Sequence, residues 1–320
     1  MMIAILGEAL IDLIGGKGED GQNCFYHYAG GCALNAATAA ARLGSRVLYI
    51  GKLSSDMFGT QMQQYFADNS VELVEEFKDV PDNSMIGFAK LDEHGGASYV
   101  FYTEGTTVTN LSDAEISRTL DERTDISYLH IGSVSVALDE SGDHILRALQ
   151  QREKLPFVFF DPNVRPTIIA DFTTYRERVL SLAKLSTLIK LSHEDLELIY
   201  PETSVEDGVQ RLLNLGVEHV ILTKGKDGLQ WRSKSGLDVS VPAIDNPIVD
   251  TVGAGDTVSG AVLTYLEEQN IKTGDHLTTE QAQEALRFAA LAAAVTTSRK
   301  GANPPKRDEV GMFKYLEQSI

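Results

Sequence analysis

The strongest constraint on this chain is a rhythm, in which short continuous apolar runs alternate with amphipathic stretches through most of its length. Residues 3–6, 47–50, 128–131, 157–160, 188–191 and 220–223 read as strands. Residues 33–43, 58–69, 141–151, 175–183, 193–199, 205–215, 257–269 and 279–298 read as helices. Strands that are apolar at nearly every position must be buried on both faces. That requires a mostly parallel sheet with helices on either side. The expectation is one doubly wound α/β domain over residues 1–320, long enough to bury a large core.

Two stretches break the rhythm. Residues 11–28 carry Gly15, Gly16, Gly18 and Gly21, then the aromatic alternation Phe25, Tyr26, His27, Tyr28. Residues 85–91 and 97–102 read as strands joined by Asp92, Glu93, His94, Gly95 and Gly96, a hairpin signal. Antiparallel pieces inserted in a parallel chain predict a small separate sheet, from about residues 11–28 and 85–107. Its aromatic and aliphatic residues either face a ligand as a lid or pack on the main domain.

Charge narrows the function. The chain has 28 Lys and Arg against 46 Asp and Glu, a formal net charge of −18. Such a surface repels nucleic acid and anionic membranes, so neither is an expected partner. A nucleotide binds such a chain only through a local device and a divalent cation. Cys24 and Cys32 show no metal-ligand spacing and read as reduced thiols of a cytoplasmic protein. The apolar opening carries Glu8 and Asp12 and no basic leader, which argues for a first buried strand and against a signal peptide. The longest apolar run, 289–295, is far too short to span a bilayer.

The most informative segment is Asp250, Thr251, Val252, Gly253, Ala254, Gly255, Asp256, Thr257, running into a helix. A glycine-rich turn feeding a helix N-terminus exposes backbone N–H groups at the positive end of the helix dipole. That suits a phosphoryl group. A carboxylate beside such a site accepts the proton of an attacking alcohol. The plainer reading makes Asp256 or Thr257 an N-cap and the glycines a tight turn. Neither a Gly-x-x-x-x-Gly-Lys-Ser/Thr loop nor a Gly-x-Gly-x-x-Gly spacing is present around it.

Segment 250–260 resembles the C-terminal signature of the PfkB-type, ribokinase-like carbohydrate kinases. The N-terminal signature is matched by Gly30, Gly31, Cys32, Ala33, Leu34, Asn35, Ala36 and Ala37, with Leu43 and Gly44 closing the helix. The resemblance covers essentially the whole chain. It implies a Rossmann-like core with a β lid, the substrates ATP and a sugar, and Mg2+ as cofactor. Asp256 is then the catalytic base, and the amides of Gly253, Ala254 and Gly255 form the anion hole. Asp12, Gly30, Gly31 and Asn35 bind sugar hydroxyls. Read alone, Asn35 is a polar residue inside a helix and Asp12 a strand-end cap.

Further segments take their roles from the same resemblance. Asp161, Pro162, Asn163, Val164, Arg165 and Pro166 follow an apolar strand, where open α/β sheets bind ligands. They resemble the Asp-x-Asn-x-Arg segment of fructokinases and 2-keto-3-deoxygluconate kinases. Asn163 then faces the phosphate and magnesium, and Arg165 the sugar or phosphate; a turn held by Asp161 and Pro162 is the structural alternative. Thr223, Gly225 and Gly228 correspond to the turn used against the nucleotide. The family's Asn-x-x-Glu magnesium motif appears here as Ser192, His193, Glu194, Asp195. Asp195 replaces the carboxylate through water, with Glu194 as competitor, and Ser192 cannot reproduce the amide. A K+ site is implied near Asp250, Val252 and Gly301.

The implied reaction is transfer of phosphate from MgATP to a primary sugar hydroxyl. Segment 161–166 and the pair Phe101, Tyr102 at the lid end point to fructose, converted to fructose 6-phosphate, with Phe101 against the sugar. Thr103, where related kinases often carry a cation, weakens the case for 2-keto-3-deoxygluconate. That kinase or a ribokinase is the second reading. A non-catalytic sugar- or nucleotide-binding regulator on the same fold is the reading from another class. Apolar lid faces also suggest a homodimer through the lid.

Overall fold

The computed structural model describes residues 1–91 and 97–311. Asp92, Glu93, His94, Gly95 and Gly96, read above as the hairpin connection, lie outside the described residues.

The chain opens with β1 (Met2–Leu6), then β2 (Leu10–Lys17), β3 (Asn23–Gly30), α1 (Cys32–Arg42), β4 (Val47–Ile50), α2 (Met57–Asp68) and β5 (Val71–Leu73). Next come β6 (Met85–Leu91), β7 (Ala97–Tyr102), α3 (Asp113–Glu122), β8 (Ile126–Gly132), α4 (Val134–Ala137), α5 (Asp139–Gln150), β9 (Phe157–Asp161) and α6 (Phe172–Lys184). The remainder is β10 (Leu188–Ser192), α7 (His193–Ile199), α8 (Val205–Leu215), β11 (His219–Thr223), β12 (Leu229–Ser233), β13 (Asp238–Val241), α9 (Ala254–Glu268) and α10 (Thr279–Thr297).

Nine strands form the main sheet in the order β13-β12-β11-β10-β9-β8-β1-β4-β5. All its neighbours pair parallel except β11 with β12 and β12 with β13. β1 shows why its strands are apolar throughout. Ile3 and Ile5 enter the core beneath α1, α9 and α10, while Met2, Ala4 and Leu6 enter the core on the opposite face. Successive strand residues point to opposite faces, so a strand covered on both has no place for polar residues.

The expected lid is a separate four-stranded sheet, β3-β2-β6-β7. β2 pairs antiparallel with β3 and parallel with β6, and β6 and β7 form the anticipated antiparallel pair. Asp56 fastens the lid to the main body. Its carboxylate caps α2 by accepting from the N–H of Phe58 and Gly59, and it also accepts from the N–H and hydroxyl of Ser84 just before β6.

β1 lies between β4 and β8, so the chain leaves its C-terminal end in one direction and returns on the other side. That switch point is where open α/β sheets form a ligand crevice. Two departures from expectation bear on it. α9 begins at Ala254 rather than at 257, and Gly253 is its N-cap, with φ 76° and no side-chain cap. α3 was not anticipated; a Ser112–Glu115 capping box starts it. Among the described residues no helix is long and apolar enough to cross a membrane.

Candidate active site

Glycine sets the helix spacing that builds the site. A side-chain carbon on Gly260 in α9 would come within 2.7 Å of Ala39 Cβ and 2.9 Å of Ala36 O in α1. Only hydrogen fits there, so α1 and α9 pack backbone to backbone. One result is that Asn35 Nδ2 donates to Asp256 Oδ2 at 2.9 Å, joining residues 221 positions apart. The other Asn35 side-chain atom, Oδ1, is buried without a protein partner.

Asp256 therefore is not the N-cap of α9 but its third residue, with only 6% of its surface exposed. Burial raises its pKa above the usual carboxylate value, and Asp161 adds to the rise. Asn35, Lys190 and Cys32 act against it. A buried carboxylate held partly against ionisation is a competent proton acceptor.

Asp256 borders a cleft at the switch point. From α1 the cleft receives Cys32 and Asn35, and from the turn before it Gly31. The lid supplies Leu10, Asp12 and Phe101; the segment after β9 supplies Asn163 and Arg165; Gly253 and Gly255 close the far end. Gly30 lies against the Asp12 carboxylate, where a side chain would collide with it. Burial pushes the pKa of Asp12 up to about 6; Arg165 opposes the rise and Asp256 reinforces it. Of the residues expected on the sugar side, Asp12, Gly31, Asn35, Phe101 and Arg165 line this cleft and Gly30 lies beside Asp12 without lining it, while Glu8, Leu10, Ser133 and Val134 line it without having been expected.

A second cleft, of about 740 Å³, shares Asn163, Arg165 and Gly255 with the first and extends to Lys190, Ser192, Glu194, Asp195 and Thr223. Between the two lies the tip of α9. The first N–H groups of a helix have no intrahelical acceptor. That of Ala254 donates to Thr251 O at 3.3 Å, and Ala254 lines neither cleft. Gly255 and Asp256, the next two residues of the tip, line the first cleft.

Several nucleotide-side expectations change. Ser192 caps α7, its hydroxyl accepting from Asp195 N–H at 3.0 Å. Both carboxylate oxygens of Asp195 already accept backbone N–H groups, Oδ1 from Val164 at 2.7 Å and Oδ2 from Ser192 at 2.8 Å. This ties β10 to the segment carrying Asn163 and Arg165, and it leaves each Asp195 oxygen a further acceptor site at the second cleft. Glu194 is exposed at the cleft edge. Thr223 reaches the cleft, but Gly225 and Gly228 line neither one; Gly228 packs against the backbone of Val241 and Pro242. Asp250, Val252 and Gly301 do come together: Asp250 Oδ1 accepts from Val252 N–H at 3.0 Å and Oδ2 from Gly301 N–H at 2.8 Å.

Two groups escaped the sequence reading. Lys190 is an ammonium inside the apolar strand β10, 4% exposed, and its Nζ lies 2.8 Å from Asp161 Oδ2. Burial, the largest effect, disfavours its charge, but Asp161, Asp256 and Asp195 together outweigh it and the pKa ends up raised. Nζ sits beside Gly255, at the tip of α9. Glu8, just after β1, accepts from Cys32 N–H at 3.0 Å and from Ser135 N–H and hydroxyl at 3.2 and 2.8 Å. It pins the floor of the sugar-side cleft. Isolated charges within apolar runs were the available signal for both.

Among the described residues no group of three or more His, Cys, Asp and Glu side chains is arranged to hold a metal ion. Glu194 at the open edge fits a magnesium ion that arrives on nucleotide phosphates and keeps most of its own water.

The residues 1–309 match the model of the pfkB family carbohydrate kinases. The chain is 32% identical over 272 residues to a fructokinase of Rhizobium leguminosarum bv. trifolii, covering 85% of this chain and 82% of that protein. It is 28% identical over 323 residues to fructokinase-1 of Oryza sativa subsp. japonica, covering 99% of this chain and 98% of that one. The fold is similar to that of the fructokinase with bound ATP from Xylella fastidiosa, with a TM-score of 0.87 and 25% identity over 100% of this chain and 99% of that one.

Proposed function

Because the chain belongs to the pfkB family of carbohydrate kinases and is an ATP-dependent sugar kinase, we propose that its substrate is fructose and its product fructose 6-phosphate. The observation that carries the mechanism is Asp256, buried at the tip of α9 between the two clefts. Asp256 orients the primary hydroxyl and takes its proton as the oxygen attacks the γ-phosphate. Phosphoryl transfer proceeds through a loose transition state, so positioning and charge stabilisation dominate. The amides of Gly255 and Asp256 and the ammonium of Lys190 face the charge on the transferring group. Asp12, the free Oδ1 of Asn35 and the backbone at Gly30 and Gly31 bind the other hydroxyls.

ATP lies along the second cleft, with its phosphates at Asn163 and its outer part near Thr223. Glu194 would hold a Mg2+ ion through water, and that ion would supply positive charge at the phosphates. The clamp that Asp250 makes on Val252 and Gly301 supports K+ bound by carbonyl groups of those segments. Phe25, Tyr26, Tyr28, Val100 and Tyr102 are exposed on the lid, which supports a homodimer formed through it.

The cleft lining favours fructose over 2-keto-3-deoxygluconate. It carries Glu8, Asp12 and Asp256 against the single cation Arg165, a balance suited to a neutral polyol and hostile to a carboxylate. The test is ADP release across fructose, ribose, 2-keto-3-deoxygluconate and adenosine. Fructose is expected to show the highest kcat/KM. A different preferred sugar replaces this substrate, and sugar binding without ADP release replaces the kinase reading with the regulator.

A further inference from the structure

Ser133, the residue between β8 and α4, has the backbone of a glycine. Its φ of 57° and ψ of −137° lie where a side chain is strained and glycine is not. The surrounding chain holds it there. Its N–H donates to Asp161 O at 3.0 Å, and its carbonyl accepts from the N–H of Val136 and of Ala137, each at 3.0 Å. Two residues on, the N–H and hydroxyl of Ser135 donate to the buried carboxylate of Glu8 at 3.2 and 2.8 Å. The fold uses both backbone polar groups of Ser133.

It does not use the side chain. Ser133 is 1% exposed, and its Oγ has no hydrogen-bond partner among the described residues. A hydroxyl buried without a partner is destabilising, because it has lost its water and gained nothing. Glycine at this position would remove the strain and the unpaired group together. Nothing in the fold itself accounts for the hydroxyl.

The cleft does. Ser133 lines the sugar side, as does Asn35, whose Oδ1 is the other buried and unpaired side-chain atom in that lining. The two are complementary toward a polyol, since Oδ1 only accepts whereas a serine hydroxyl also donates. The next residue, Val134, packs with Leu10 of the lid, and Phe101 lies against that cluster. Ser133 therefore joins the cleft on its lid side, away from the end that Gly253 and Gly255 close.

We propose that Ser133 is a sugar-binding residue that sets specificity, its hydroxyl pairing with a sugar hydroxyl at the end of the substrate away from the one phosphorylated. In fructose that end carries the anomeric hydroxyl and the hydroxymethyl group beside it. The inference rests on the first cleft being the sugar site, and it requires neither Asp256 as the base nor fructose as the preferred sugar. A site built around an unpaired buried polar group rejects an analogue that cannot pair with it.

The experiment measures sugar Kd by calorimetry, without nucleotide, for wild type, Ser133→Ala and Ser133→Gly. It uses whichever of the four sugars above binds wild type most tightly, with that sugar's single-deoxy analogues. Ser133→Ala is expected to raise Kd about fivefold, the effect of one neutral hydrogen bond, while kcat at saturating sugar stays within about twofold. Removing the remote hydroxyl from the sugar weakens wild type by a similar factor and leaves Ser133→Ala unchanged. Ser133→Gly matches Ser133→Ala in Kd and melts no lower than wild type, because the strain leaves with the side chain. A wild-type Kd in Ser133→Ala overturns the proposal. So does a cycle in which every deoxy analogue loses as much in Ser133→Ala as in wild type. A weakened Kd with a lowered Tm in both variants also overturns it and makes Ser133 a packing residue. A preferred sugar other than fructose, with the cycle intact, removes fructose and supports this inference; wild type that binds none of the four removes both.

Discussion

The two clefts that meet at the tip of α9 are opposite in how they treat charge. On the sugar side, Asp12 and Asp256 are buried with pKa values raised, and Asn35 Oδ1 has no protein partner. Those acceptors are complete only when hydroxyl donors arrive. On the phosphate side, Lys190 is already paired with Asp161, and Asp195 with two backbone N–H groups. That side holds its shape without a ligand and relies on the nucleotide, with its metal, to bring new charge. The difference separates the effects of mutation: sugar-side changes act on binding and chemistry, while phosphate-side changes act on stability as well.

Asp256→Asn tests the sugar side at its most sensitive point. The amide oxygen still accepts from Asn35, so the packing of α1 against α9 survives. Loss of a general base is expected to lower kcat about a thousandfold, leaving the sugar Kd within about threefold of wild type. Because burial raises the pKa of Asp256, its ionised form costs stability at neutral pH. The asparagine variant should therefore melt no lower than wild type. Steady-state assay, calorimetric titration and thermal unfolding check the three parts, and a normal kcat removes Asp256 from the mechanism.

Lys190→Met asks the opposite question. Removing the ammonium leaves Asp161 buried with the Ser259 hydroxyl, at 3.0 Å, as its side-chain partner among the described residues. Breaking a buried pair this way costs about 3 kcal/mol, and Tm should fall clearly. Losing a positive group beside the transferring phosphate should also lower kcat about a hundredfold. The double variant Lys190→Met, Asp161→Asn separates the effects, because it removes both charges. Tm is expected to recover while kcat stays low. Recovery of both makes Lys190 purely structural.

What could be read from sequence follows the same division. Six of the seven parallel strands were legible because both faces are buried and nearly every residue is apolar; β5, three residues with exposed Glu72, was not. β12 and β13 escaped because they alternate, with Trp231 inward and Gln230 and Arg232 between. α9 was started three residues late because its first turn contains Gly255, a residue that ordinarily argues against helix. Gly30, Gly31, Asn35 and Asp256 lie within two local signatures, while Asp12, Phe101 and Arg165 took their roles from other segments of the same resemblance. Their mutual contacts could not be seen: Asn35 and Asp256 meet across 221 positions through the space that Gly260 leaves. On the phosphate side, Asp195 looked like a ligand because a carboxylate at that spacing fits the motif. Only the fold shows that each of its oxygens also accepts a backbone N–H.

The mildest way to sharpen the comparison is pH. Asp12 in the free protein has a pKa of about 6, raised by burial and by Asp256 against the pull of Arg165. Its carboxylate accepts from sugar hydroxyls only when ionised, so sugar binding favours the ionised form. Affinity then rises as pH rises through 6 and levels above it. Between pH 5 and pH 7 the ionised fraction grows about tenfold, and fructose Kd, measured calorimetrically without nucleotide, should fall by about that factor. In Asp12→Asn the side chain no longer titrates, so the curve flattens. Adenine nucleotide measured in the same way meets the second cleft, where Lys190 stays charged throughout this range, and its Kd should not follow the sugar's. A fructose Kd independent of pH in the wild type takes Asp12 out of the sugar site and leaves the charge contrast between the clefts to Asp256 alone.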